Sequence, residues 1–299
     1  LTTAQLVALT TSALRGWSSS QLQALKSNQL AALGTAQVAS LLTNQVAALS
    51  ARQVSALGTD QLRAMSTAQV RALTTEQITA LTTGQVAALT TGQVASLGTA
   101  QMAAMETQDL ASMTTNQIAE LGASQFAALS STQISALKTS QVSVIRTAGI
   151  AALTSAQVQG FSASQLKQMT TTQMASMTTA QVKALQTDRI RSLTTAQINA
   201  MTTAQLTALG SDQVRALQTD QVAAMTSNQV AALATMQVAW LEAKDVASLT
   251  TTQVSALTSA QVAALTTEQA VALTSVQIAA IETADIGALS TANLQLLGG

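Results

Sequence analysis

The chain contains no histidine, cysteine, tyrosine or proline, and only two tryptophans and two phenylalanines in 299 residues. Without cysteine there is no disulfide framework and no thiolate zinc site. The redox compartment stays open, because secreted proteins also do without cysteines. Without histidine there is no imidazole base, ligand or switch near neutral pH. Without proline, whatever interrupts helix or strand must be a cap or a turn residue. Charge is also scarce: 9% of residues are charged, 13 basic against 13 acidic, where a globular chain carries about 25%. A surface so poorly charged, with zero net charge, does little to resist self-association. Polar Thr and Gln recur too often to leave an apolar run near the roughly 18 residues of a membrane span. No targeting segment is visible, and Leu1 stands in mid-repeat, as expected of a mature product or a section of a longer array.

What is present is a single octapeptide. Read from Thr2 to Leu297, the chain is 37 consecutive copies of the pattern TTAQVAAL, with no insertion or deletion. Position two is Thr or Ser in 33 units, position four is Gln in 30, and position eight is always Leu, Met, Ile, Phe or Trp. Position five is an apolar residue larger than Ala in 36, with Ala270 the exception. Positions three and six vary and carry most of the charge, which marks the solvent side. A fixed period of this kind signals a repeat architecture in which each unit buries its apolar face only against other units. One solenoid domain over residues 1–299 is therefore expected.

Three structures could carry an octad. In a continuous helix, eight residues turn through about 800 degrees, so the Val and Leu rows would drift about 80 degrees per repeat and no face would stay buried. A β-solenoid would stack Thr and Gln in ladders, and it is the alternative. Strands, however, favour period-two alternation with Gly, Asn or Pro at turns, whereas positions six to eight read Ala-Ala-Leu and the chain has 13 Gly. One short helix per repeat suits Ala, Leu, Gln and Met. The expected fold is all-α, a solenoid with one short capped helix per repeat. A six-residue helix is not stable alone in water, so stacking must supply the stability. About three repeats per turn would close a narrow apolar centre. In agreement, four of the large residues at position seven, Glu120, Val144, Gln168 and Trp240, fall in units 15, 18, 21 and 30.

Two capping registers compete. With the hydroxyl at position two as N-cap, the helix runs from position three, and position one is a linker that reverses the chain. Gly34, Gly58, Gly98, Gly122 and Gly210 at position one would then follow the helix end in a left-handed conformation. With the cap at position one, Thr-x-x-Gln is a capping box, and the flanking Leu and Val form a hydrophobic staple. The repeats test both. Where position one is Thr, Ser or Gly, position four departs from Gln in two of 27 units, and otherwise in five of ten. That coupling favours contact between positions one and four. The near-invariance of position two favours the first register, which is the expectation adopted.

Trp17 and Phe161 place large rings at position eight, each preceded by Gly at position seven, Gly16 and Gly160. Volume compensation of this kind marks a close-packed interior, so positions five, seven and eight are expected to face inward. The interchange of Met and Leu at position eight reads as packing, not as metal ligation.

Chemistry-bearing departures are few. Glu and Asp appear together in three units, as Glu106 with Asp109, Glu242 with Asp245, and Glu282 with Asp285. Paired carboxylates suit calcium, which takes six to eight oxygens. The plainer reading is that acids near a helix start complement its dipole. No nucleophile or pocket-forming irregularity accompanies them, so no catalytic residue, resident metal or cofactor is expected. Seven of the 13 basic residues, among them Arg63, Lys167 and Arg215, fall at position six. They are too sparse for a phosphate-tracking stripe, and no nucleic-acid partner is expected. The stretch Leu73–Leu81, LTTEQITAL, resembles the opening of the first helix of TAL-effector repeats, LTPEQVVAI. The resemblance covers nine residues, and the base-reading loop and second helix have no counterpart, so it carries no DNA reading over.

The expected role is structural. The chain reads as a section of a rigid rod or filament, such as a bacterial surface or secreted fibre or an adhesin stalk. It would be extracellular or at the cell surface and would associate with itself end to end or laterally. The alternatives are a solenoid binding module for a protein or peptide, and a threonine array that matches a crystalline surface such as ice or accepts sugars.

Overall fold

The computed structural model describes residues 1–281, 283–290 and 293. It divides into two compact units, Leu1–Leu153 and Thr154–Gly299. Both are all-helical, with no strand among the described residues. Each repeat forms one helix of four to six residues, from Thr3–Val7 in the first to Thr283–Ile286 in the last that is described.

The cap is at position one, not position two. Thr2 has extended φ −80° and ψ 162°, and its side chain accepts from the Gln5 backbone N–H. Helices therefore begin at position two and end at six or seven, as in Thr91–Ala95 and Thr43–Ala48. The reciprocal box is what settles the register. A hydroxyl at position one reaches the N–H at position four, and the position-four side chain returns to the N–H at position one. Position two becomes the first helical residue, and its hydroxyl makes no cap. In a few units it instead donates across the stack, as Ser227 Oγ does to the Thr252 carbonyl at 3.4 Å. Nothing in the structure explains its near-invariance elsewhere.

The glycines at position one are not left-handed. Gly34 has φ −70° and ψ 157°, and no described residue has positive φ. The reversal uses two extended residues, positions eight and one, as at Leu49 with φ −59° and ψ 144° followed by Ser50 with φ −70° and ψ 154°. A Cβ at Gly34 would lie 3.6 Å from Gln37 Oε1, an ordinary contact, so Gly is tolerated there and not required.

In both units each helix stacks on the helix three repeats along: Thr35–Ala39 on Thr59–Ala64 in the first, Ala243–Ala247 on Thr267–Ala272 in the second. This is a three-repeat turn. Positions five and eight form the core, with Val46, Val54 and Leu62 fully buried and Leu49 and Leu57 nearly so. Burial is worth about 1.5–3 kcal/mol for each such side chain. Position seven is mostly half-buried, and position three is exposed. Trp17 is only half-buried, so its ring does not fill the interior, whereas Phe161 is fully buried. In the second unit the apolar centre lined by Val222, Met225, Val230 and Leu233 leaves a void of about 10 Å³, at the lower limit for one water. That interior has no room for a ligand.

Candidate functional site

The residue that ties turn to turn is the glutamine at position four. Around Gln93, the Thr90 N–H donates to Oε1 at 2.8 Å, and the Gln93 N–H donates to Thr90 Oγ1 at 3.2 Å. Its Nε2 then donates to two backbone carbonyls four repeats back, Leu62 at 2.7 Å and Met65 at 2.8 Å. The carbonyls belong to the corner that leads into the helix on which this one stacks. One amide therefore closes its own capping box and clasps the preceding turn. Gln213 does the same in the second unit, taking the Gly210 N–H at 3.1 Å and reaching Val182 and Leu185 at 3.0 and 2.7 Å. Gln93 is 2% exposed. A buried amide with both ends satisfied is favourable, and the same amide with an end unpaired is costly.

Sequence reasoning finds half of this clasp. The coupling of positions one and four is the capping box, but a position flanked by polar residues does not read as buried. The second half is non-local: the carbonyls lie 28 and 31 residues away. The signal available was the recurrence of Gln in 30 units, more than a surface cap requires.

Departures from Gln show what the slot demands. At Arg189 the guanidinium Nε donates to the Phe161 carbonyl at 2.8 Å, and at Asn293 the amide donates to Leu265 at 3.0 Å. Both address the carbonyl 28 residues back. Gly149 has another cause, because a Cβ there would lie 2.7 Å from Phe126 Cδ2 and 3.0 Å from Ile145 Cγ2. The Phe126 ring, fully buried three repeats earlier, takes the space of the missing side chain. This compensation is real but sits at positions four and five of stacked units.

The acid pairs place aspartate in the clasp slot, and an ionised carboxylate has no proton to donate. Asp245 is fully buried. Its Oδ1 accepts from Thr219 Oγ1 at 2.8 Å, and its Oδ2 from the Glu242 N–H at 3.3 Å. Burial raises its pKa, and the Thr219 hydrogen bond opposes that rise. Lys244 Nζ stands 2.6 Å from Glu242 Oε2, and that hydrogen bond and charge lower the Glu242 pKa. Asp285 accepts from the Ser259 hydroxyl, while Glu282 lies outside the described residues. Asp109 differs. It is 3% exposed, its Oδ2 has no partner, and burial, with Glu106 adding repulsion, pushes its pKa from 3.8 to about 6. Glu106 is exposed and makes no side-chain cap bond. Among the described residues no cluster of three or more acidic side chains gathers at one point.

Elsewhere the surface repeats itself. Shallow notches recur between stacked repeats, one around Arg71, Gly98 and Glu120 and another around Lys183 and Gly210. Arg146 pairs with Glu120 at 2.8 Å. The hydroxyls at position one are engaged in capping, as at Thr90, Ser66 and Thr178, which removes much of the support for a free hydroxyl array. The TAL-like stretch holds one helix, Thr75–Thr79, followed directly by the next repeat's helix Thr83–Ala88. Among the described residues no helix is long and apolar enough to cross a membrane.

Comparison with curated proteins finds no match. The family described as the ALTTAQ repeat matches residues 1–35, 27–59, 54–91, 102–139, 150–187, 174–211, 182–219, 203–235, 211–243 and 238–275. These matches span well over half of the chain, their signature is the Leu-Thr-Thr-Ala-Gln junction whose geometry is set by the clasp, and the chain belongs to the ALTTAQ repeat family.

Proposed function

We propose that this repeat protein serves as a structural element, a solenoid segment that continues by stacking its end turn on a further turn and so builds a rod or filament. The observation that carries the reading is that the clasp repeats from turn to turn: Gln93 reaches the carbonyls of Leu62 and Met65 in the turn before it, and Gln213 those of Val182 and Leu185. Each turn offers its own carbonyls in the same way, so nothing in the stacking rule closes the array. Leu9 and Trp17, at position eight of the first two repeats, are half-buried. A head-to-tail contact that does not close propagates as a filament. A secreted or surface-exposed fibre is the setting this reading favours.

Negative-stain electron microscopy and light scattering over a concentration series test it. Elongated assemblies that grow with concentration, and that shorten when Trp17→Lys and Leu9→Lys are introduced together, are the expected result. Particles of one chain at every concentration would refute end-to-end growth.

A further inference from the structure

The slot at Asp109 holds a buried carboxylate where the repeat normally places an amide donor. In the repeats on either side, Gln101 Nε2 donates to Val70 and Leu73 at 3.0 and 2.7 Å, and Gln117 Nε2 to Val86 and Leu89 at 3.0 and 2.7 Å. The same register aims position 109 at the carbonyls of Ile78 and Leu81, in the corner leading into helix Thr83–Ala88. Helix Thr107–Ser112 stacks on that helix. With aspartate at the slot those carbonyls lose their amide donor, and Asp109 Oδ2 is buried and unpartnered. The Glu106 carboxylate stands one helical turn away and repels it.

A second observation is the company the acid keeps. In the 37 repeats Asp occupies position four three times, and each time Glu occupies position one, where Glu is otherwise absent. Like charges at this spacing repel, and a positive partner relieves the repulsion. In the repeat of Glu242 and Asp245 the chain supplies one, Lys244, and adds the Thr219 hydroxyl. In the repeat of Glu106 and Asp109 the corresponding residues are Gln108 and Thr83; the Thr83 hydroxyl makes no bond to the unpartnered Asp109 Oδ2, and no described ion pair involves either acid.

We propose that the slot between the start of helix Thr107–Ser112 and the Ile78–Leu81 corner binds a hard divalent cation of the calcium type. The Asp109 and Glu106 carboxylates and the carbonyls of Ile78 and Leu81 would hold it. Two carboxylates, two carbonyls and water make an all-oxygen set that suits calcium, which accepts irregular geometry and water ligands. Magnesium, which demands a tight octahedron and sheds water reluctantly, fits less well. The bound ion replaces the glutamine amide as the link between turns, so the site is a cation-dependent clasp within the stack.

The test is titration of the full chain, stripped with chelator, with calcium chloride at pH 7.5, followed by calorimetry and by thermal unfolding. The variants are Asp109→Gln, which restores the repeat's own residue and so keeps the fold, and Asp109→Asn, which keeps the size and removes the charge. The proposal predicts that each variant loses one equivalent of bound calcium relative to the parent. It also predicts that calcium raises the parent's melting temperature by several degrees more than that of Asp109→Gln. Calcium binding undiminished in both variants would overturn it. So would an absence of binding by the parent, with stabilisation obtained on acidification instead, which would assign the slot to a proton.

Discussion

The repeats 106–113 and 242–249 carry the same exchange, Glu at position one and Asp at position four, and resolve it differently. Around Asp245 a hydroxyl from the helix beneath, a backbone N–H and a neighbouring ammonium settle both charges. Around Asp109 none of these is in place, and the carboxyl is left buried and repelled, its pKa pushed up to about 6. The comparison teaches that position four is defined by a donor to the preceding turn, not by glutamine as such. Where the donor is lost, the surrounding repeat must supply a substitute.

The largest effect is expected from breaking an intact clasp. Gln93→Ala would leave the Thr90 N–H and the Met65 carbonyl unpaired at a buried site, and would take from the Leu62 carbonyl one donor, the Met65 N–H remaining. At about 1–3 kcal/mol for each orphaned group, the loss should reach about 3 kcal/mol or more in denaturant unfolding. It should exceed the loss from the same change at exposed Gln5, which clasps nothing.

Asp109 should respond with the opposite sign. Its folded pKa, about 6, is raised above 3.8, so its stabilising contribution is fully present below about pH 4 and disappears as pH rises through 6. A shift of about two pH units corresponds to roughly 3 kcal/mol. In chelator at pH 7.5, Asp109→Gln should therefore gain up to that amount. Its stability curve should also lack the fall between pH 4 and 6 that the parent shows, as read by urea midpoints across that range.

A smaller effect should come from removing, in the second region, the hydroxyl bond that the first does not make. Thr219→Val removes the donor to Asp245 Oδ1 at nearly constant volume, at an expected cost of about 1–2 kcal/mol near pH 7. The fall in stability between pH 4 and 6 should become steeper than in the parent, since the hydroxyl is what restrains the Asp245 pKa. An unchanged urea midpoint would show that Thr219 does not substitute for the clasp.

Much of the fold is legible in the octad. The failure of any continuous helix to keep Val and Leu on one face, the helix-forming composition and the large residues at position seven lead to short helices stacked three apart. The cap is legible only in part, because the near-invariance of Thr at position two outweighed the coupling between positions one and four, though the coupling was the physical signal. The glycines at position one mislead for a similar reason. They suggest a left-handed turn, whereas two extended residues reverse the chain with no such need. The clasp itself is hidden, since local periodicity contains nothing about a bond to a carbonyl 28 residues away. Likewise the reason for Gly149 lies in the Phe126 ring of another repeat. The acid pairs are visible as residues, but only burial and missing partners separate Asp109 from Asp245.

The claim that buried glutamine amides join successive turns is tested most directly by hydrogen exchange of the Gln side-chain N–H groups, followed in nitrogen-resolved spectra after transfer to deuterium oxide. Two populations are predicted, with slow exchange at clasped residues such as Gln93 and Gln213 and immediate exchange at Gln5 and Gln21. Immediate exchange of every side-chain amide in the folded protein would contradict the account.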